Sequence, residues 1–132
     1  MSLRKKRIVI GKIGLDSHDN GIRIVSKWYM DHGYEVIYAG LYNTSERILQ
    51  IAIEESADAL GVSFLGAEHL HYGRELSGLI KVKELNDLKL IIGGVIPPED
   101  VKELADMGFH AVFTPGTRRK TILDTTDRIL NS

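Results

Sequence analysis

The chain has no cysteine in its 132 residues. That excludes disulfides, thiolate zinc sites and iron–sulfur clusters held by thiolates. Neither sign of charge is in excess: 17 Lys and Arg stand against 18 Asp and Glu, a formal net charge of −1. Nothing in that balance calls for a nucleic-acid partner. The short basic runs Arg4-Lys5-Lys6-Arg7 and Arg118-Arg119-Lys120 read as solvated edges. Long hydrophobic runs are absent too. The first apolar stretch, Ile8 to Ile10, is far too short for a membrane span or the apolar part of a signal peptide. A cytoplasmic protein with no membrane and no nucleic-acid partner is the expectation.

What is present is the composition of a globular protein: 43% hydrophobic and 27% charged residues. One domain over residues 1–132 is expected, long enough to bury roughly two-thirds of its unfolded surface. Short apolar strands alternate with amphipathic helices. Arg7 to Lys12 reads as a buried strand. Gly21 to His32 carries Ile22, Val25, Trp28 and Tyr29 at helical spacing, closed by Gly33. Val36 to Ala39 is a second strand. Thr44 caps a helix with Ile48, Ile51, Ala52 and Glu55 on one side. Ala59 to Ser63, Leu70 to Leu85 and Leu90 to Ile92 continue the pattern as strand, helix, strand. Pro97 and Pro98 mark a turn and a first helical position. A helix carrying Val101, Leu104 and Ala105 ends at Gly108, and Ala111 to Phe113 and Thr121 to Leu130 close the series. Such alternation predicts an α/β fold with a parallel sheet covered on both faces. Five units suggest the flavodoxin-like order 2-1-3-4-5.

In that order a ligand crevice lies at the carboxyl ends of strands one, three, four and five. The first of those loops carries Asp16, His18, Asp19 and Gly21. An Asp two residues before a His can orient the imidazole and leave one nitrogen lone pair for a metal-centred cofactor. The third strand ends at Ser63 and Leu65, the fourth at Gly93 and Gly94, the fifth at Thr114, Pro115, Gly116 and Thr117. Small residues there allow close approach to the backbone. Together they suit a narrow slot for a flat or elongated group.

Other chemistries find less support. Gly11-Lys12-Ile13-Gly14 lacks the pattern of a phosphate loop, and no Gly-x-Gly-x-x-Gly follows the first strand. His69 and His71 are close in sequence, but nothing completes a zinc set. Ser63 is not in a nucleophile elbow.

Asp16-x-His18-x-x-Gly21, then Ser63-x-Leu65, then Gly93-Gly94, resembles the cobalamin-binding domain of the carbon-skeleton mutases and methionine synthase. The resemblance covers nearly the whole chain. Lys12-Ile13-Gly14-Leu15-Asp16, Val95-Ile96-Pro97 and Thr114-Pro115-Gly116-Thr117 are similar to the acyl-coenzyme A mutases of the methylmalonyl-coenzyme A mutase type. Ser17 stands where those relatives usually carry Gly, and Asn20 where they often carry Arg.

The resemblance implies that His18 coordinates cobalt in place of the cofactor's own dimethylbenzimidazole, with Asp16 on the other ring nitrogen. It implies that the displaced nucleotide tail enters the slot. Ser63 would bond the base, Leu65 would pack beside it, and Gly93 and Gly94 would leave it room. Thr114 to Thr117 would lie near the tail's far end, and the helix from Gly21 would order as the ligand binds. The implied cofactor is adenosylcobalamin. The implied protein is the small subunit of an acyl-coenzyme A mutase, active only with a large barrel subunit that binds the acyl-coenzyme A. A methyl-carrying corrinoid protein is the alternative, disfavoured because the first strand by Arg7 leaves no room for the usual helical cap. A cobalamin carrier or sensor would be joined to an output module. A small subunit of the glutamate-mutase type fits the Thr114 to Thr117 ending less well.

Overall fold

The computed structural model describes residues 5–131. Its elements follow in chain order: β1 (Arg7–Ile13), α1 (Asn20–His32), β2 (Glu35–Asn43), α2 (Ser45–Glu54), β3 (Ala59–Phe64) and α3 (His69–Val82). After these come β4 (Lys89–Gly94), a 3₁₀ turn (Pro98–Asp100), α4 (Val101–Met107), β5 (Ala111–Phe113) and α5 (Arg119–Leu130). All neighbouring strands pair in parallel, in the expected order β2-β1-β3-β4-β5.

Alternation along each strand divides the core into two layers. Val9, Ile13, Leu60, Val62, Leu90 and Ile92 face Ile48 and Leu49 of α2, Leu76 of α3 and Leu104 of α4. Ile8, Ile10, Ala59, Ile91 and Ala111 face Ile22 and Tyr29 of α1 and Ile122, Leu123 and Leu130 of α5. Helices therefore cover both faces. Strand order reverses direction between β1 and β3, so the loops leaving those two strands part and open a crevice at their carboxyl ends.

The local signals act where expected. Thr44 accepts a hydrogen bond from the Arg47 N–H at 3.0 Å and caps α2. Gly33 and Gly108 close α1 and α4 in the left-handed region, with φ of 109° and 115°. Two boundaries differ from the reading by three residues or more. β2 runs on to Asn43, because it bulges twice against β1 and continues past the apolar stretch that ends at Ala39. α3 stops at Val82, and Glu84 turns the chain with a φ of 56°. No helix among the described residues is long and apolar enough to cross a membrane.

Candidate functional site

β1 delivers the chain to Gly14, whose φ of 89° starts a sharp turn. The Gly14 N–H donates to the Asn43 carbonyl at 2.9 Å, and a Cβ at this position would lie 3.0 Å from the Tyr72 hydroxyl. The turn brings Asp16 back over the strand ends. Its Oδ1 accepts from the His18 backbone N–H at 3.0 Å and from the His18 Nδ1 at 2.7 Å. Its Oδ2 accepts from the Leu65 N–H at 3.0 Å and pairs with the Lys12 Nζ at 2.9 Å. Burial alone would push this carboxyl up. The His18 N–H, the Lys12 ammonium, the His18 ring and the Leu65 N–H more than offset it and hold it far below the usual carboxylate range.

That settles a proton position by elimination. A carboxylate only accepts, so the His18 Nδ1 is the donor and the lone pair of a neutral ring lies on Nε2. The His18 side chain is 72% exposed, so Nε2 is accessible at the carboxyl edge of the sheet. Lys12 is the anchor beneath. Its side chain is 1% exposed, and its Nζ also donates to the Ser63 carbonyl at 3.0 Å. It joins β1, β3 and the His18 loop through one ammonium.

Asp19 sits at the start of α1. Arg23, one turn on, donates from Nε to its Oδ2 at 2.6 Å and holds its carboxyl below the ordinary value. The Arg23 guanidinium also lies 5.4 Å from the Tyr38 ring centre. Ser17 and Asn20 are both exposed.

Beside the His18 loop, a cavity of about 340 Å³ opens between α1, the sheet and the β5–α5 turn. Strand register explains it. One row across the sheet's α1 side is Ile10, Gly61, Ile91, Ala111; the next, nearer the carboxyl edge, is Ser63, Gly93, Phe113. Gly61 and Gly93 supply no side chain, and space remains above them. α1 forms another wall with Gly21, Ile22, Val25 and Trp28. A Cβ added to Gly21 would meet nothing within 4 Å. Among the described residues, the Ser63 hydroxyl on the slot side has no hydrogen-bond partner on the protein.

Thr114 to Thr117 line the same cavity as a turn. The Thr117 N–H donates to the Thr114 carbonyl at 3.2 Å, with Pro115 and Gly116 (φ of 82°) between them, as a type II turn requires. Gly94 lines the cavity too, but its need for glycine comes from behind. A Cβ there would lie 2.0 Å from the Phe64 carbonyl oxygen.

The structure thus brings Gly21, Ser63, Gly93, Gly94, Thr114, Pro115, Gly116 and Thr117 around one cavity. Asp16, His18 and Asp19 stand on the adjoining loop. Leu65 lies beside the His18 loop, with its side chain partly exposed and its N–H donating to Asp16. Three residues that sequence reasoning left out belong to the site. Lys12 is buried, Trp28 walls the slot, and Gly61 makes its floor. The signal for Gly61 was a lone glycine inside an apolar strand, a mark of close approach. His69 and His71 take separate partners, Asp100 at 2.7 Å and Glu75 at 3.8 Å.

The family model "B12 binding domain" matches residues 6–123. The chain is 36% identical over 118 residues to the 2-hydroxyisobutanoyl-CoA mutase small subunit of Aquincola tertiaricarbonis, covering 89% of this chain and 87% of that protein. It is 35% identical over 128 residues to the methylmalonyl-CoA mutase of Escherichia coli, where the match spans 97% of this chain and 18% of that enzyme. A crystal structure of a cobalamin-binding protein from Desulfitobacterium hafniense superposes with a TM-score of 0.82 at 27% identity, over 96% of this chain and 60% of that one. The chain belongs to the B12-binding domain family, and its cofactor is cobalamin.

Proposed function

We propose that this chain is the small subunit of an adenosylcobalamin-dependent acyl-CoA mutase, working in the cytoplasm. The observation that carries the reading is the His18 ring, fixed by Asp16 with Nε2 free, at the mouth of a glycine-floored slot. The residues fit cobalamin on their own chemistry. An accessible imidazole lone pair suits cobalt, and a carboxylate on the opposite nitrogen fixes the tautomer and orientation of the ring. A slot of about 340 Å³ with an unpartnered hydroxyl suits a flat group carrying a few polar atoms.

His18 would hold the cobalt through Nε2, with Asp16 and Lys12 keeping its tautomer and aim. Ser63, Gly93 and Gly94, with the Thr114 to Thr117 turn, hold the displaced nucleotide tail. Leu65 supports Asp16 through its backbone, and Asp19 and Gly21 shape the entry to α1. Bound there, adenosylcobalamin would supply the radical chemistry of a 1,2-rearrangement. This chain holds the cofactor, and the acyl thioester is bound elsewhere. A large partner subunit, a barrel, supplies that pocket. The relative from Aquincola is itself a mutase small subunit of matching length, which supports this division of labour.

The test is electron paramagnetic resonance of the chain loaded with cobalt(II) cobalamin, with and without nitrogen-15 in histidine. The expected result is a changed nitrogen splitting on labelling, lost in His18→Ala. An unchanged splitting sinks the axial assignment.

A further inference from the structure

Trp28 is the only tryptophan of the chain, and it lines the slot from α1. The helical pattern alone would make it a core residue, and it does pack against the layer between the sheet and α1. Two further observations separate it from ordinary core. It is only partly buried, so part of the indole faces the slot. The Arg119 guanidinium, from the first turn of α5, lies 6.0 Å from the indole ring centre. A cation at that distance is attracted to the ring's π-face. The indole therefore spans from α1 toward α5 along one side of the slot.

The floor across the sheet is bare at Gly61 and Gly93, whereas α1 presents an indole, the largest side chain available. A slot with glycine on one side and an aromatic wall on another accepts a thin, planar group and rejects a thick one. An indole also gains from aromatic contact beyond the area it covers.

Resting on the reading that the cofactor's nucleotide tail enters this slot, we propose that Trp28 is a specificity-determining residue of the tail site. Its ring contacts the aromatic base of the tail and sets the width open to it. Arg119 is a positioning residue that holds the indole in place. The ligand class is a planar aromatic heterocycle on a nucleotide arm, and the contact is independent of the cobalt bond at His18.

A single tryptophan gives a single indole N–H resonance, so the full chain labelled with nitrogen-15 reports on Trp28 directly. The probes are cobalt(III) cobalamin and the same corrin lacking the nucleotide tail. The indole peak is expected to move with the tailed cofactor and to stay within error with the tail-less one. By calorimetry, Trp28→Ala is expected to weaken tailed cobalamin about tenfold and to leave the tail-less corrin within about twofold, with Trp28→Phe in between. Arg119→Gln, a change at the surface that leaves the core intact, is expected to shift the indole peak of the free chain and weaken only the tailed cofactor, by about threefold. A Trp28→Ala chain that still prefers tailed cobalamin as strongly as the parent overturns the role of Trp28. The same holds if Arg119→Gln leaves the indole peak and the tailed affinity unmoved. A parent chain that binds both corrins equally overturns the tail reading itself, and with it this proposal.

Discussion

At the scale of single residues, Gly93 and Gly94 are neighbours with opposite reasons to be glycine. A Cβ on Gly93 meets nothing nearer than 3.6 Å, so alanine fits the protein and intrudes only on the slot. A Cβ on Gly94 strikes the Phe64 backbone at 2.0 Å, at a φ of 110° that L-residues seldom adopt. Gly93→Ala is expected to change unfolding free energy by about 1 kcal/mol or less, while cobalamin affinity falls at least about tenfold. Gly94→Ala is expected to cost about 3 kcal/mol or more of stability. Urea unfolding and calorimetry on the two variants check the contrast. Sequence reasoning could place both glycines at the end of a strand and on the ligand edge. It could not divide their roles, because the clash with Phe64 depends on how β3 and β4 come together. Asp16 and His18 were legible as a pair because their bond is local. Lys12 was not: it could be placed at the end of a buried strand, but its partner follows from Asp16 returning over it.

At the scale of elements, α1 borders the slot from Gly21 to Tyr29 and is fastened to α5 toward its far end. The Tyr29 hydroxyl lies 2.8 Å from the Thr126 Oγ1, and the Thr126 hydroxyl lies 2.8 Å from the Ile122 carbonyl. The threonine has one proton, which goes to the carbonyl, so Tyr29 is the donor across the two helices. Burial pushes the Tyr29 phenol up to about 12, with the Thr126 bond opposing and Asp127 adding to the rise. It stays a neutral donor at working pH. Asp127 further accepts from His32 at 2.9 Å and from the Tyr34 hydroxyl. Thr126→Val keeps the shape but strands a buried phenol donor, at an expected cost of about 1–3 kcal/mol. Tyr29→Phe leaves Thr126 satisfied by Ile122 and is expected to cost about 1 kcal/mol or less. Guanidinium unfolding of both variants tests the order, and the reverse order would refute the donor assignment. Strand and helix succession was readable from periodicity with little error. The tie between α1 and α5 was not, since Tyr29 and Thr126 are 97 residues apart and each alone looks like core.

At the scale of the whole molecule, acid stability gathers on Asp16. Its folded-state carboxyl titrates well below the unfolded value of about 3.9, so its contribution is complete above that pH. It fades only as pH falls through the depressed folded value. Asp16→Asn leaves the Lys12 ammonium buried without its counter-charge, at an expected cost of about 3 kcal/mol at neutral pH. The same variant is expected to flatten the acid limb of stability against pH. Lys12→Met removes the charge and keeps the packing, and is expected to cost less than Asp16→Asn in the same assay. Equal slopes in the parent and Asp16→Asn below pH 4 would count against the linkage. The bulged end of β2 has a different consequence. β2 is the outer strand of the sheet, and its pairing slips twice near Gly40 and Tyr42, both at positive φ. An approaching strand from another copy finds no continuous ladder of donors and acceptors there. That end of β2 is thus a poor template for edge-to-edge pairing.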